Sequence, residues 1–121
     1  MASFDDGALH VDFDQRQVSL NGNPLDLDPP EYNVLALLVR NVGQIVPFDE
    51  LNEAIHDGAD EAIRDGAEGE RLQVYQLLQD GTGGWRPVWY SLCQKLGFSV
   101  GEAPIGGRRP LAGLGYRVKW D

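Results

Sequence analysis

The sequence predicts an α+β domain. Three observations carry that reading. Apolar and polar residues alternate through the first 27 positions, as in half-buried strands. A sharply marked helix start at Asp28-Pro29-Pro30-Glu31 then switches the apolar spacing to a helical one. The chain finally returns to short extended segments separated by glycine after residue 103. At 121 residues and 42 % hydrophobic side chains, the chain is long enough and apolar enough to bury one core, so a single domain over 1–121 is expected.

The N-terminal sheet is expected over 8–27. Leu9, Val11 and Phe13 alternate with polar neighbours, Asp14-Gln15 reads as a tight turn, and Val18 and Leu20 form the next strand. Asn21-Gly22 is a strong two-residue hairpin signal, after which Pro24-Leu25-Asp26-Leu27 makes a third short strand. The first two helices are expected over 28–56. Asp28 can cap free backbone N–H groups, proline suits the first helical position, and Glu31 stands where a capping-box acid reaches back. Leu35, Leu38 and Val42 continue on one face, and Gly43 is read as the stop. Ile45-Val46 is an extended link. Phe48, Leu51 and Ile55 give a second, shorter helix ending near Asp57-Gly58.

Residues 57–84 are rich in Gly, Asp and Glu and read as an inserted loop with a short helix around Leu72, Tyr75 and Leu78, stopped by Gly81. Over 85–97 a third helix is expected. Trp85, Trp89, Leu92 and Leu96 are spaced to make one apolar stripe toward the core, leaving Arg86, Tyr90, Ser91, Gln94 and Lys95 outward. A hairpin over 103–120 closes the fold, with Gly106-Gly107-Arg108-Arg109 at its turn.

Charge divides the chain. Residues 1–81 hold seventeen acidic side chains and four basic ones. Residues 82–121 hold six basic and two acidic, within a formal net charge of −9. Such asymmetry fits a molecule that meets phosphate with one end only, and equally an ordinary acidic face. No stretch has the length of a membrane span and no charged-then-apolar leader opens the chain, so a cytoplasmic protein without a membrane partner is expected. The lone Cys93 precludes an internal disulfide.

Five segments in register make the chain resemble the OmpR/PhoB-type winged-helix effector domain of bacterial response regulators. Val18 to Leu27 matches the strand, turn and strand before the first helix. Pro30-Glu31-Tyr32-Asn33-Val34-Leu35-Ala36-Leu37-Leu38 matches that helix with its characteristic glutamate. Gly43 to Leu51 matches the link and second helix. Leu92-Cys93-Gln94-Lys95-Leu96 matches the recognition helix, and Gly113-Leu114-Gly115-Tyr116-Arg117-Val118 the wing. The resemblance implies a winged helix-turn-helix with an N-terminal antiparallel sheet, three main helices and a C-terminal wing hairpin. It also implies a transcription regulator that contacts double-stranded DNA through Arg86, Tyr90, Ser91, Gln94 and Lys95. Arg108 and Arg109 would sit at the wing, with Arg117 and Lys119 on its return strand. The loop between the second and third helices can meet RNA polymerase in that family. A second copy of the chain is a further candidate partner.

The chain departs from the family at Cys93 and Ala112, where basic residues are usual. It also departs at Pro47, where a hydroxyl would cap the second helix, and in the length of the 57–84 connection. Each lost basic residue weakens a grip on phosphate. The sequence therefore leaves a second function open: an acidic interaction module on the same fold, docking RNA polymerase or another regulator through Leu72, Tyr75 and Leu78, with weak or no DNA binding. Enzymatic activity is not expected. Cys93 has no histidine at a matching spacing, and His10 and His56 have no further ligand at metal spacing. Gly81-Thr82-Gly83-Gly84 lacks the lysine of a phosphate loop, and no cofactor is implied.

Overall fold

The computed structural model describes residues 3–5, 9–41, 45–80, 86–96 and 117–118. Four strands, β1 (Ser3–Asp5), β2 (Leu9–Asp12), β3 (Gln17–Leu20) and β4 (Asn23–Leu25), form an antiparallel meander in chain order. Helix α1 (Pro29–Arg40) follows, then β5 (Ile45–Val46), α2 (Phe48–Arg64), α3 (Gly69–Asp80), α4 (Arg86–Lys95) and β6 (Arg117–Val118). The α+β class and the N-terminal sheet are as expected. Strand β1 was not anticipated, because three residues with one apolar side chain, Phe4, give no alternation to read; it exists by pairing, with Phe4 opposite Val11.

The two hairpin turns follow from local chemistry. Asn21 and Gly22 both take positive φ, 52° and 83°, and join Leu20 to its partner Asn23. That is the left-handed pair a two-residue turn needs to match strand twist. In the preceding turn the Asp12 carboxylate accepts from the N–H groups of Asp14 and Gln15, each at 3.0 Å, and Arg16 takes φ 56°. From there the Arg16 guanidinium pairs with Glu61 of α2 and lies 4.7 Å from the Tyr32 ring centroid of α1, pinning the hairpin to both helices.

Helix α1 starts as the sequence indicates. Glu31 Oε1 accepts from the Asp28 N–H at 2.8 Å, and prolines occupy the first turn. Its end comes earlier than Gly43. Asn41 is the C-cap, its side-chain amide donating to the Leu37 carbonyl at 2.8 Å and its backbone N–H to Leu38. A side chain thus satisfies carbonyls that the last turn leaves open, the task assigned to glycine in the sequence reading. Helix α2 begins at an extended Pro47 without a side-chain cap, and Asp49 and Glu50 stand in its first turn, where negative charge is favourable.

The largest correction concerns 57–84. The second helix does not stop near Gly58 but runs to Arg64, and residues 69–80 are a second full helix, so 57–80 is mostly helical rather than loop; residues 81–84 lie outside the described residues. Leu51 and Ile55 continue into Ala59 and Ala62, all buried at helical spacing. The sequence signal was faint because alanine contributes little hydrophobicity. Gly58 is there for proximity: a Cβ on it would lie 2.5 Å from both Cα and N of Pro30. Backbone meets backbone at this crossing, and Asn33 of α1 donates from its side chain to the Ala54 carbonyl beside it at 3.1 Å.

Core residues come from every layer: Leu9, Val11 and Val18 from the sheet, Val34, Leu35, Leu38 and Val39 from α1, Tyr75 and Leu78 from α3, and Trp89, Leu92 and Leu96 from α4. Strand β6 pairs in parallel with β5, Ile45 opposite Arg117 and Val46 opposite Val118, bringing the end of the chain back to the link between α1 and α2. The remainder of the expected hairpin over 103–120 lies outside the described residues. No described helix is long and apolar enough to cross a membrane.

Two outcomes test this packing. Gly58→Ala sets a gain in helix propensity of about 1 kcal/mol against a backbone collision. The collision should win, lowering the urea midpoint by the equivalent of about 1–3 kcal/mol; a stabilised variant would place the two helices further apart than described. The second concerns acid. The Glu61 carboxyl sits below its ordinary 4.5, chiefly through the hydrogen bond from Arg16, against a smaller opposing cost of burial. A lowered folded value means that the pairing contributes fully above about pH 4.5 and is lost as pH falls through the folded value. Glu61→Gln should therefore flatten the fall in melting temperature over that acid window and leave the neutral-to-alkaline slope unchanged.

Candidate nucleic-acid interface

Helix α4 owes its placement to one apolar side and one buried acid. Val88, Trp89, Leu92, Cys93 and Leu96 all face the core, Trp89 at 1 % exposure. The inward stripe read from the sequence is present at 89, 92 and 96; Trp85 lies outside the described residues. Cys93 belongs to the same inward side. Burial pushes its thiol up to about 11, so it is a core filler with no thiolate at neutral pH. A solvated cation at this position would require the helix to rotate.

The acid is Glu31, at 3 % exposure the one charged residue buried among those described. Its Oε1 accepts from Lys95 Nζ at 2.7 Å and from the Asp28 N–H, and its Oε2 accepts from the Ser91 hydroxyl. Lys95 Nζ also donates to the Asp26 carbonyl at 2.8 Å. A buried carboxylate is tolerable only with its lone pairs filled and its charge matched, and this one has both. The result is a clamp that fixes the rotation of α4 on the start of α1.

The clamp divides the residues that the sequence reading aims at DNA. Gln94 is exposed and Tyr90 half-buried at the surface of α4. Ser91 and Lys95 are half-buried and turned to Glu31, so both are engaged inside the protein. Arg86 opens α4 and Arg117 opens β6, each described by backbone alone. Arg108, Arg109 and Lys119 lie outside the described residues, as does Ala112.

The expected partner face on α3 needs correction. Tyr75 and Leu78 are buried and Leu72 is half-buried, so these three are occupied with the fold. Their sequence neighbours Val74 and Leu77 are the exposed ones, at 50 % and 47 %. The adjacent pairs Val74-Tyr75 and Leu77-Leu78 each send one residue in and one out. A single-stripe reading of the helix missed the second face.

His56 also gains company that the sequence reading denied it. With α2 extended past residue 57, Asp60 falls one turn after His56, 3.6 Å from its Nδ1, and Asp57 stands at 3.9 Å. The ligand atoms of the three lie within 4.8 Å of one another. All are at the surface, and the Asp60 carboxylate accepts a hydrogen bond from Gln79 of α3. A helix that braces its neighbour accounts for this cluster.

No protein-family model matches the chain, and no curated protein is similar to it in sequence. What α4 does must therefore be argued from its own residues.

The Glu31 clamp makes a double-mutant test available. Lys95→Met leaves a buried carboxylate without its cation and should cost about 3 kcal/mol of unfolding free energy. Glu31→Gln keeps the acceptor toward Asp28 and should cost less. If the pair is coupled, the two changes together will cost clearly less than their sum in denaturant titrations.

Proposed function

We propose that this chain is a DNA-binding transcription regulator of winged-helix type, with α4 as its recognition helix. The observation that supports this best is the state of α4. It is the one described helix without an acidic residue, in a chain whose formal net charge is −9. It is held at a defined rotation by a core stripe and the Glu31 clamp. A helix that must lie in a groove needs both features: a face that does not repel phosphate and a rotation that does not drift.

Within this reading the roles divide. Gln94 offers the amide that can pair with adenine, and Tyr90 and Arg86 precede it at successive four-residue steps along the helix. Ser91 and Lys95 act from behind as positioning residues, because their polar atoms are spent on Glu31. Arg108, Arg109, Arg117 and Lys119 supply the backbone contacts that fix register.

Fluorescence anisotropy with labelled genomic duplexes over a salt series tests the proposal. The full chain should bind at low salt, with log affinity falling linearly against log salt. Charge reversal at Arg108 and Arg109 should reduce that slope by about 2, one for each phosphate contact removed. Gln94→Ala should weaken a preferred site by about tenfold and leave bulk DNA unaffected. No shift at low salt, or a slope indifferent to the wing arginines, rejects the assignment.

A further inference from the structure

Helix α3 has a second apolar face that the other described residues leave exposed. Val74 and Leu77, three residues apart on one flank, are the exposed large hydrophobics among the described residues. They wall an open cleft of about 410 Å³. Tyr75 and Leu78 of α3, Pro30 of α1, and Pro87 and Val88 of α4 complete its apolar lining. Its polar lining is Asp28, Glu31 and Ser91, with no lysine or arginine. Exposed Glu70 stands one turn before Val74, and exposed Asp80 three residues after Leu77. The cation nearest this rim on α3, Arg71, is drawn to Asp28 at 3.1 Å and to the Tyr75 hydroxyl. The result is an apolar slot at the junction of three helices, with Glu70 and Asp80 beside it unpaired with any cation among the described residues.

We propose that this cleft docks a basic amphipathic helix from a partner protein. Two apolar side chains about one turn apart on the partner would seat between Val74 and Leu77 on one side and Pro87 and Val88 on the other. Its lysines or arginines would meet Glu70 and Asp80. Apolar anchors spaced along one helix face are what such a groove reads, and the acidic rim selects the sign of the flanking charge. A second copy of this chain is a poorer occupant, because it would bring a like-charged surface to the same rim. The proposal does not rest on the DNA reading: it puts the exposed anchors at Val74 and Leu77, with Tyr75 and Leu78 as the buried inner wall of the same cleft, and either activity can exist without the other.

The test uses the full chain and a labelled lysine–leucine peptide of about five helical turns with its leucines on one face. A peptide of the same composition with its leucines dispersed serves as control. The facially amphipathic peptide should bind the monomer, and the dispersed one at least about tenfold more weakly. Val74→Glu and Leu77→Glu, both at exposed positions, should each weaken binding by about tenfold or more without lowering the melting temperature. Affinity for DNA should be unchanged in these variants, so a failed DNA assay and a failed peptide assay remain separate results. Equal binding of the two peptides, or variants that bind like the parent, would overturn the proposal. So would a dimer that Leu77→Glu dissociates, which makes a second copy the occupant. A large loss of stability in the glutamate variants also counts against it, since the slot would then be filled from within the chain.

Discussion

The structure depends on one carboxylate. Glu31 begins as a local device, the return half of a helix start, accepting the Asp28 N–H at 2.8 Å. Because its other contacts reach Ser91 and Lys95, about sixty residues later in the chain, the same group ties the first helix to the last described one. Taking a carboxylate out of water costs several kcal/mol, so the site is stable only when all its partners are present together. That makes the orientation of α4 conditional on the cap of α1. The apolar stripe of α4 could slide or turn by a few degrees against the core; a charge-matched triad of hydrogen bonds cannot.

Small residues supply the complementary constraint. Gly58 lets α2 cross the start of α1 at backbone contact, and Ala59 and Ala62 keep that crossing close further along. A close crossing brings Glu61 within reach of Arg16 on the sheet hairpin, and Asp60 within reach of Gln79 on α3. Two connections that look like surface decoration are therefore consequences of where a side chain is missing. Sheet, α1, α2 and α3 are braced as one block, and α4 is latched to it through Glu31.

Much of this was legible in the residues, and the failures share a cause. The hairpin at Asn21-Gly22, the start of α1 and the inward face of α4 each announce themselves by a residue type with few alternative uses: positive φ, a capping acid, a large aromatic at helical spacing. Gly58 was misread because glycine marks both helix ends and close approaches, and only the partner backbone of Pro30 distinguishes them. The continuation of α2 past Gly58 in turn sets Asp60 beside His56, a pairing that only an unbroken helix produces. Lys95 illustrates a different limit. A lysine beside an apolar stripe reads as a solvent-facing cation, and nothing local reveals a buried acid sixty residues earlier waiting for it.

The distribution of cations is a consequence of the same architecture. Of the four arginines in residues 1–81, three lie against aromatic rings: Arg16 over Tyr32, Arg40 over Phe13 and Arg71 over Tyr75. Two of these also hold a carboxylate, Arg16 that of Glu61 and Arg71 that of Asp28. They are engaged at the surface of the block, which carries seventeen acids against four arginines. A polyanion approaching this block is repelled over distances of about a Debye length, roughly 8–10 Å in ordinary salt. The only described helix free of acid is α4. Repulsion over most of the molecule, with relief at one helix, restricts the orientations in which DNA could approach, and it makes the affinity of such a complex hang on few contacts and on salt. The same field attracts a basic partner to the α3 flank. The two faces meet at the start of α4, where Pro87 and Val88 wall the α3 cleft beside the exposed side of the same helix.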